Sequence, residues 1–271
     1  MTYEFGIIGA GNMAEAITRG ILSAKLFTPR QILAADLSPQ RRELFSKQLG
    51  IQTTEDNAQV ARNSKIILLS VKPQHMQAAL ATLAPVLSDQ TLIISIAAGV
   101  STAAIEKHLA PGKSWRIIRV MPNTPMLVGA GMVALAPGRH AQPADLATAQ
   151  RIFEAGATVL QLPEDKIDAV TAISGSGPAY FFFLVEYMVQ AGVELGLTPE
   201  QAHILATRTA AGAAKMLLTS PDSPKELRRK VTSPGGTTQA AIETMEAQNM
   251  PQTIVTALHR AAQRSKELGS K

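Results

Sequence analysis

The chain of 271 residues carries 26 basic and 21 acidic side chains, a formal net charge of +5 at pH 7, and is 46% hydrophobic and 17% charged. This composition indicates a globular protein of one or two domains and excludes an intrinsically disordered chain. The sequence contains no cysteine, which excludes disulfides, thiolate nucleophiles and Cys-ligated zinc.

Nucleic acids, metals and membranes are not expected partners. Aromatic residues make up only 4% of the chain and basic residues are spread along it, so stacking platforms beside a basic stripe are missing. The five histidines lie apart, without i, i+4 pairing or a nearby acidic cluster, which argues against a metal site. The longest apolar-rich stretch, residues 178–195, contains Glu186 and Glu194 and predicts a buried helix, not a membrane span. Because no signal-peptide pattern begins the chain, we expect a cytoplasmic protein.

The first motif is a glycine-rich turn. An apolar run at residues 5–8 leads into GAGNMA at residues 9–14 and then into a helical stretch, which predicts strand, tight turn and helix. Gly9 would permit the turn, Gly11 would let the backbone approach a pyrophosphate, and Ala14 would let the helix pack on the strand. The N–H groups and the dipole at the start of the helix favour phosphates. The pattern predicts dinucleotide binding.

The second apolar run, residues 32–35, ends in Asp36, which lies 22 residues after Ala14, where a ribose-binding acid is expected. A carboxylate here accepts hydrogen bonds from a free 2′-hydroxyl and repels a 2′-phosphate. Ser38, Arg41 and Arg42 follow closely and could hold that phosphate. The choice between NADPH and NADH therefore stays open at this point.

Up to residue 162, short apolar runs alternate with helical stretches. The later apolar runs lie at residues 65–71, 91–97, 115–121, 131–136 and 157–162. The helical stretches lie at residues 39–49, 56–62, 74–83, 102–108 and 144–155. Continuous β-branched runs indicate strands that are covered on both faces. This order predicts an α/β domain of the Rossmann type over residues 1–163, with a doubly wound, mainly parallel sheet.

The pattern changes after Pro163, because no convincing strand follows. Helical stretches lie at residues 165–173, 179–192, 199–218, 224–229, 237–245 and 252–268. They predict an all-α domain over residues 164–271. With few aromatic and many small residues, this domain is expected to complete its core against a second copy, so we expect a homo-oligomer.

Four loops of the first domain follow strand ends on the edge of the sheet where open α/β sheets bind ligands. The glycine turn is the first. The second is SVKP at residues 70–73, which holds Lys72 beside the crevice. The third is AAG at residues 97–99, whose small side chains let a flat ring lie against the backbone. The fourth is MPNTP at residues 121–125, a rigid turn that presents the amide of Asn123. Together the loops predict a cofactor crevice.

Two loops of the helical half place glycines and hydroxyls directly before a helix, at residues 174–180 and 232–238. Backbone N–H groups and hydroxyl donors in such loops can bind an anion. The same residues can instead serve only as helix caps. Because the second loop contains no lysine or arginine, a small carboxylate fits it better than a phosphate does.

The combination of GAGNMA, SVKP, RVMPNTP (residues 119–125), GSGPAY (residues 175–180) and SPGGTT (residues 233–238) resembles the pyrroline-5-carboxylate reductase family. The resemblance runs from residue 5 to about residue 265, and SPGGTT is its most diagnostic motif. It implies hydride transfer from NADPH, with NADH as the alternative, to the C=N carbon of 1-pyrroline-5-carboxylate, which gives L-proline in the last step of proline biosynthesis. It also implies a Rossmann domain followed by a helical dimerisation domain, with dimers that often assemble into decamers.

The resemblance also implies roles for individual residues. Thr238 would be the catalytic residue, because it would hydrogen-bond the ring nitrogen, and its loop would hold the substrate carboxylate. The implied substrate-binding residues are Ser176, Ser233, Gly235, Gly236, Thr237 and Thr238. The implied cofactor-binding residues are Gly9, Gly11, Asn12, Met13, Ala14, Asp36, Asn57, Ser70, Val71, Lys72, Pro73, Ala97, Ala98 and Asn123.

Two other functions share this two-domain plan. A β-hydroxyacid dehydrogenase resembles a pattern with a lysine after the Gly-x-Gly turn, on the next helix, where it relays the alcohol proton. Phe181 occupies that place, and no lysine lies between Lys166 and Lys215. A non-catalytic nucleotide-binding module would bind the cofactor without turnover. The intact loop at residues 233–238 favours an enzyme over such a module.

Overall fold

A computed structural model describes residues 3–269. Its strands are β1 (Tyr3–Ile8), β2 (Ile32–Ala35), β3 (Gln52–Thr54), β4 (Ser64–Leu69), β5 (Leu92–Ser95), β6 (Arg116–Met121), β7 (Gly131–Pro137) and β8 (Ala157–Gln161). They form one sheet in the order β3-β2-β1-β4-β5-β6-β7-β8. Neighbouring strands are parallel except for the antiparallel pair β6 and β7. Because β1 and β4 are adjacent, the strand order reverses there, as in a Rossmann-type sheet.

The α-helices of the described residues are α1 (Asn12–Ser23), α2 (Pro39–Leu49), α3 (Asn57–Asn63), α4 (Met76–Leu83), α5 (Thr102–His108), α6 (Pro143–Glu154), α7 (Ile167–Val170), α8 (Gly177–Glu194), α9 (Pro199–Thr219), α10 (Pro224–Lys230), α11 (Thr237–Ala247) and α12 (Met250–Gly269). A π-helical turn, Thr171–Gly175, separates α7 from α8. No strand occurs between residues 164 and 269. No helix of the described chain is both long and apolar enough to cross a membrane.

Apolar layers cover both faces of the sheet. Ile7 of β1 belongs to a core that also contains buried side chains of α1, α2 and α6. Ile8, the next residue, belongs to the opposite core, which is built with α3, α4 and α5. Successive side chains of a strand point to opposite faces, so a strand covered on both sides must be apolar throughout. The predicted doubly wound α/β fold with a helical second part is confirmed.

The chain divides into two compact units. The first contains the described residues up to Ser176 together with those from Ala261 onward, and the second is Gly177–Arg260. Helix α12 therefore begins in the second unit and ends in the first. The expected domain boundary near residue 163 stays a prediction.

One strand was not predicted from the sequence. Strand β3 is three residues long, lies at the edge of the sheet and contains Gln52, Thr53 and Thr54. An edge strand is paired on one side only and needs no continuous apolar run, so the sequence pattern gives little indication of it. In contrast, the start of α9 has a local signal in the sequence, an N-cap threonine, Thr198, followed by a proline at the first helical position. The hydroxyl of Thr198 accepts a hydrogen bond from the backbone N–H of Gln201 at 3.2 Å.

Candidate active site

The turn between β1 and α1 contains two glycines with different roles: Gly9 has a positive φ that a side chain would strain, and Gly11 has open space beside it. Gly9 has a φ of +93°, and a Cβ added to it would lie 2.9 Å from the carbonyl oxygen of Ser70. Gly11 is the N-cap of α1, and a Cβ added there would meet no atom within 4 Å. No side chain caps α1, so its first N–H groups are left for another acceptor. This arrangement fits a pyrophosphate at the positive end of the helix dipole.

Two cavities adjoin this turn on the carboxyl edge of the sheet. The larger, of about 590 Å³, extends past Asp36 and Asn57. The smaller, of about 410 Å³, runs along the ends of β4, β5 and β6. Both are lined by Gly11, Ser70, Val71 and Lys72. Of the other predicted cofactor residues, Gly9, Asp36 and Asn57 line the larger cavity, and Asn12, Met13, Pro73, Ala97, Ala98 and Asn123 line the smaller. Ala14 lines neither, because it is buried where α1 packs.

The cavities also have lining residues that were not predicted as cofactor contacts. They are Ala35, Leu37, Glu55, Asp56, His75, Ala78, Ala79 and Thr82 in the larger cavity and Ile96, Met121, Pro122, Thr124 and Gly175 in the smaller. Met121 and Gly175 lie within motifs that the sequence already marks. His75 and Thr82 carry no comparable signal, because they lie on a short 3₁₀ turn and on α4, where the sequence pattern indicates only a helical stretch.

Asp36 links the glycine turn to the end of β2. Its Oδ2 accepts a hydrogen bond from the backbone N–H of Ala10 at 2.7 Å, and its Oδ1 accepts one from Ser38 at 2.8 Å. Each carboxylate oxygen keeps a second lone pair, which can face a ribose. Asp36 therefore has a structural role in the turn in addition to the predicted contact with the cofactor.

Arg41 is engaged with the backbone of the glycine turn, and Arg42 with the backbone that follows β2. Arg41 Nε donates to the carbonyl oxygen of Ala10 at 2.5 Å, and its Nη2 lies 2.8 Å from Glu15 Oε2. Arg42 Nη1 donates to the carbonyl oxygen of Asp36 at 2.7 Å. Burial raises the pKa of Glu15, but hydrogen bonds from Arg19 and Arg41 outweigh burial and hold that pKa below its ordinary value. Arg41 thus stabilises the glycine turn and Arg42 the end of β2, and neither arginine lines the larger cavity.

Asn123 connects the crevice to the chain that leads into α8. Its Oδ1 accepts a hydrogen bond from the N–H of Met132 at 2.9 Å, and its Nδ2 donates to the carbonyl oxygen of Ser174 at 3.2 Å. Ser174 lies in the π-helical turn, which ends where the N–H of Ser176 donates to the carbonyl oxygen of Thr171 at 2.8 Å. Such turns are frequent at functional sites. The predicted substrate residue Ser176 is half-buried at the end of this turn.

The predicted substrate loop of the second unit forms a tight turn before α11. The N–H of Gly236 donates to the carbonyl oxygen of Ser233 at 3.0 Å, with Gly235 at a φ of +69° between them, as in a type II turn. Gly236 is the N-cap of α11, and no side chain caps this helix. The N–H groups of Thr237 and Thr238 are therefore left at the positive end of the helix. A small carboxylate matches this geometry, and the hydroxyls of the turn do not cap α11.

The second unit exposes large apolar side chains. Phe181 and Phe182 on α8 are 63% and 68% exposed, and Leu195 and Leu218 are 85% and 87% exposed. Phe181 is also the residue at the place where a β-hydroxyacid dehydrogenase would need its lysine. Exposed apolar surface on this scale marks an interaction site. Across the described residues, no group of three or more His, Asp or Glu side chains is placed to hold a metal ion.

The sheet order, the glycine turn and the crevice define a Rossmann-type dinucleotide-binding protein with a helical second unit. Residues 4–99 match the family described as NADP oxidoreductase coenzyme F420-dependent, and residues 164–268 match pyrroline-5-carboxylate reductase dimerisation. The chain is 42% identical to a pyrroline-5-carboxylate reductase of Methanosarcina acetivorans over 99% of this chain and 98% of that protein.

Two solved structures are also similar. The pyrroline-5-carboxylate reductase of Coxiella burnetii is 40% identical, with a TM-score of 0.88 over 99% of both chains. The Plasmodium falciparum pyrroline carboxylate reductase, solved with NADP bound, is 29% identical, with a TM-score of 0.89 over 98% of both chains. The chain belongs to the pyrroline-5-carboxylate reductase family. The protein is a homo-oligomer, because its helical half matches the dimerisation domain of that family and exposes large apolar side chains.

Proposed function

We propose that this protein reduces 1-pyrroline-5-carboxylate to L-proline with NADPH, as the last step of proline biosynthesis. The observation that carries the proposal is membership of the reductase family over the whole chain, including the helical half, which matches the dimerisation domain of that family. The protein is thus an NAD(P)H-dependent oxidoreductase that acts on a cyclic imine.

The first unit binds the cofactor. The uncapped start of α1 and the open space beside Gly11 hold the pyrophosphate, and the larger cavity, beside Asp36 and Asn57, holds the adenosine ribose. The smaller cavity, beside Ala97 and Ala98, holds the nicotinamide end. When bound, the reduced nicotinamide supplies the hydride that goes to the C=N carbon.

NADPH and NADH differ only at the 2′ position, so Asp36 is the residue that decides between them. Its charge opposes a 2′-phosphate, but both of its oxygens already accept backbone N–H groups, which stabilise and partly offset that charge. NADPH is therefore accepted, and NADH competes through the remaining lone pairs of Asp36.

The turn at residues 233–238 binds the substrate carboxylate. The uncapped N–H groups of Thr237 and Thr238 donate to it at the positive end of α11, and the hydroxyl of Ser233 adds a further donor. The Thr238 hydroxyl hydrogen-bonds the ring nitrogen. Gly235 is needed for its positive φ, and Gly236 lets the backbone approach the ligand. Ser176 also contributes to substrate binding.

The reaction needs no proton acceptor from the protein. An imine that binds already protonated at nitrogen becomes an amine when the hydride reaches its carbon, so atoms and charge balance without a base. An alcohol substrate would need a group to take its proton, and Phe181 stands where such a lysine is expected. No observation favours an alcohol dehydrogenase or a non-catalytic module. Assembly of dimers into decamers and a cytoplasmic location stay predictions.

The test is oxidation of NADPH and NADH at 340 nm by the purified protein with racemic pyrroline-5-carboxylate, with proline identified as the product. We expect turnover with both cofactors and higher efficiency with NADPH. Folded protein that binds the dinucleotide but produces no proline with either cofactor would overturn the proposed function.

A further inference from the structure

The end of helix α12 lies against the loop between β5 and α5. Gly99 in this loop has a φ of +78°, and a Cβ added to it would lie 2.8 Å from the carbonyl oxygen of Ser265 and 3.0 Å from Cβ of Leu268. A Cβ added to Gly269 would in turn collide with the carbonyl oxygen of Gly99. The two backbones are therefore in direct contact, and the loop has no room to move towards α12.

This contact bears on the cofactor crevice because Gly99 belongs to the same tight turn as two lining residues. The N–H of Val100 donates to the carbonyl oxygen of Ala97 at 3.4 Å, with Ala98 and Gly99 between them. Ala97 and Ala98 line the smaller cavity. In a four-residue turn, the dihedral angles of the third residue set the direction of the peptide before it. The position of Gly99 therefore fixes the backbone of two residues that line the cavity.

A partly buried hydrogen bond holds the end of α12 in place. The Ser265 hydroxyl donates to Oδ1 of Asp168 at 2.6 Å, and Ser265 is 2% exposed. The same Asp168 oxygen lies 3.6 Å from Nη2 of Arg119, whose side chain is 5% exposed. A hydrogen bond between a buried hydroxyl and a half-buried, charge-paired carboxylate is strong and costly to leave unmade. The bond thus joins α12 to α7, and the Arg119 ion pair joins α7 to β6.

Arg119 is also connected to the β5–α5 loop, through Glu164. Arg119 Nη1 lies 3.5 Å from Oε1 of Glu164. Glu164 accepts hydrogen bonds from the backbone N–H of Thr102 at 2.8 Å and from its hydroxyl at 2.7 Å. Thr102 begins α5, three residues after Gly99. The contacts close a ring through β6, α7, α12 and the β5–α5 loop. Among the described residues, Arg119 Nε and Nη2 have no hydrogen-bond partner, and the contacts with Glu164 and Asp168 neutralise this buried cation.

From this ring, and on the basis of the cofactor role proposed above, we propose that the end of α12 positions the Ala97–Ala98 backbone for the nicotinamide end of the dinucleotide, with Ser265 and Asp168 as positioning residues. They touch neither substrate nor cofactor. They act through Gly99, and α12 in turn connects the loop to the second unit from which the helix comes.

The first test measures the Kd for NADPH by fluorescence titration of the full-length protein, without substrate. Ser265→Ala removes the hydrogen bond to Asp168, and we expect the Kd to rise about tenfold, the scale of one lost charge-assisted hydrogen bond. Ser46→Ala is the control, because the Ser46 hydroxyl is exposed and donates only within α2, to Glu43 at 3.1 Å. Its Kd should stay within about twofold of the unchanged protein.

The second test separates the contact with α12 from backbone strain. Gly99 and Gly112 have nearly equal φ values, +78° and +80°, but a Cβ at Gly112 would meet no atom within 4 Å. Gly99→Ala and Gly112→Ala therefore carry similar strain, and only the first disturbs α12. We expect Gly99→Ala to raise the Kd and the KM for NADPH at least tenfold more than Gly112→Ala does, with the KM for pyrroline-5-carboxylate changed less than about twofold.

A merely structural role would lower the melting temperature and the amount of active protein but leave the Kd for NADPH unchanged. The inference is wrong if Ser265→Ala binds NADPH within about twofold of the unchanged protein, or if Gly99→Ala and Gly112→Ala bind it equally. Because binding is measured without turnover, a protein that fails to make proline would overturn the proposed function and leave this comparison intact.

Discussion

The side-chain amide of Asn123 donates a hydrogen bond to the carbonyl oxygen of Ser174 at 3.2 Å and accepts one from the N–H of Met132 at 2.9 Å. A residue at the rim of the crevice is thereby tied to the π-helical turn that precedes Ser176. The amide performs this role only because it has both a donor and an acceptor.

Asn123→Asp keeps the shape of this side chain but removes its donor. A carboxylate oxygen of the substituted side chain would then face the carbonyl oxygen of Ser174 with no hydrogen between them. We therefore expect a loss of about 1–3 kcal/mol in the free energy of unfolding. Urea denaturation measures it. Asn63→Asp is the control, because the Asn63 amide donates to Gln59 on an exposed surface. Equal stability of the two variants would contradict the role assigned to Asn123.

Thr238→Ala tests the proposed contact with the ring nitrogen. Removing the hydroxyl leaves the start of α11 intact, since Thr238 does not cap it. We expect a loss of about 1–3 kcal/mol in transition-state stabilisation, measured as kcat/KM for pyrroline-5-carboxylate at saturating NADPH. Thr238→Ser keeps the hydroxyl and should retain most of the activity. Full efficiency in Thr238→Ala would remove this residue from the mechanism.

Asp36→Asn tests cofactor choice. The substitution removes the charge but keeps one oxygen for a backbone N–H, so we expect the ratio of NADPH to NADH efficiency to rise about tenfold or more. Glu55→Gln is the matched control, because Glu55 is a carboxylate that lines the same cavity without holding the glycine turn. An unchanged ratio in Asp36→Asn would mean that neither the charge nor its repulsion of a 2′-phosphate decides the preference.

Asp145 on α6 makes the free energy of unfolding depend on pH. Burial raises its pKa, but hydrogen bonds from Arg116 and from the N–H of Gln142 outweigh burial and hold the pKa below its ordinary value. The stabilisation is complete above the ordinary aspartate pKa of about 3.9 and is lost as the pH falls through the lower folded-state pKa.

Asp145→Asn should therefore lower the free energy of unfolding at pH 7 by about 2–3 kcal/mol and reduce its decline on acidification below about pH 4. Denaturation in urea at several pH values measures both effects. Asp165→Asn is the control, since the Asp165 side chain is 66% exposed. The assignment fails if Asp145→Asn loses stability on acidification as steeply as the unchanged protein.

The sequence predicts those parts of the fold whose cause is local. The glycine turn, the buried strands and the N-cap at Thr198 each follow from a few neighbouring residues. The signal is absent where a feature depends on distant residues. Asn123 can be recognised as part of a rigid turn, but its bond to Ser174 depends on how the π-helical turn packs. The contact of Gly99 with Gly269 joins positions far apart in the chain, and neither glycine carries a motif that reveals it.

The two glycines of the first turn are subject to different constraints. Gly9 is required by the backbone, so any side chain there strains the fold. Gly11 has an ordinary φ of −73°, and a Cβ there meets nothing in the protein. The Gly11→Ala protein should therefore fold, assemble and melt normally, but it should not bind the dinucleotide. In a cell that lacks another source of proline, this variant would show whether growth requires the catalytic activity or only the folded, assembled protein.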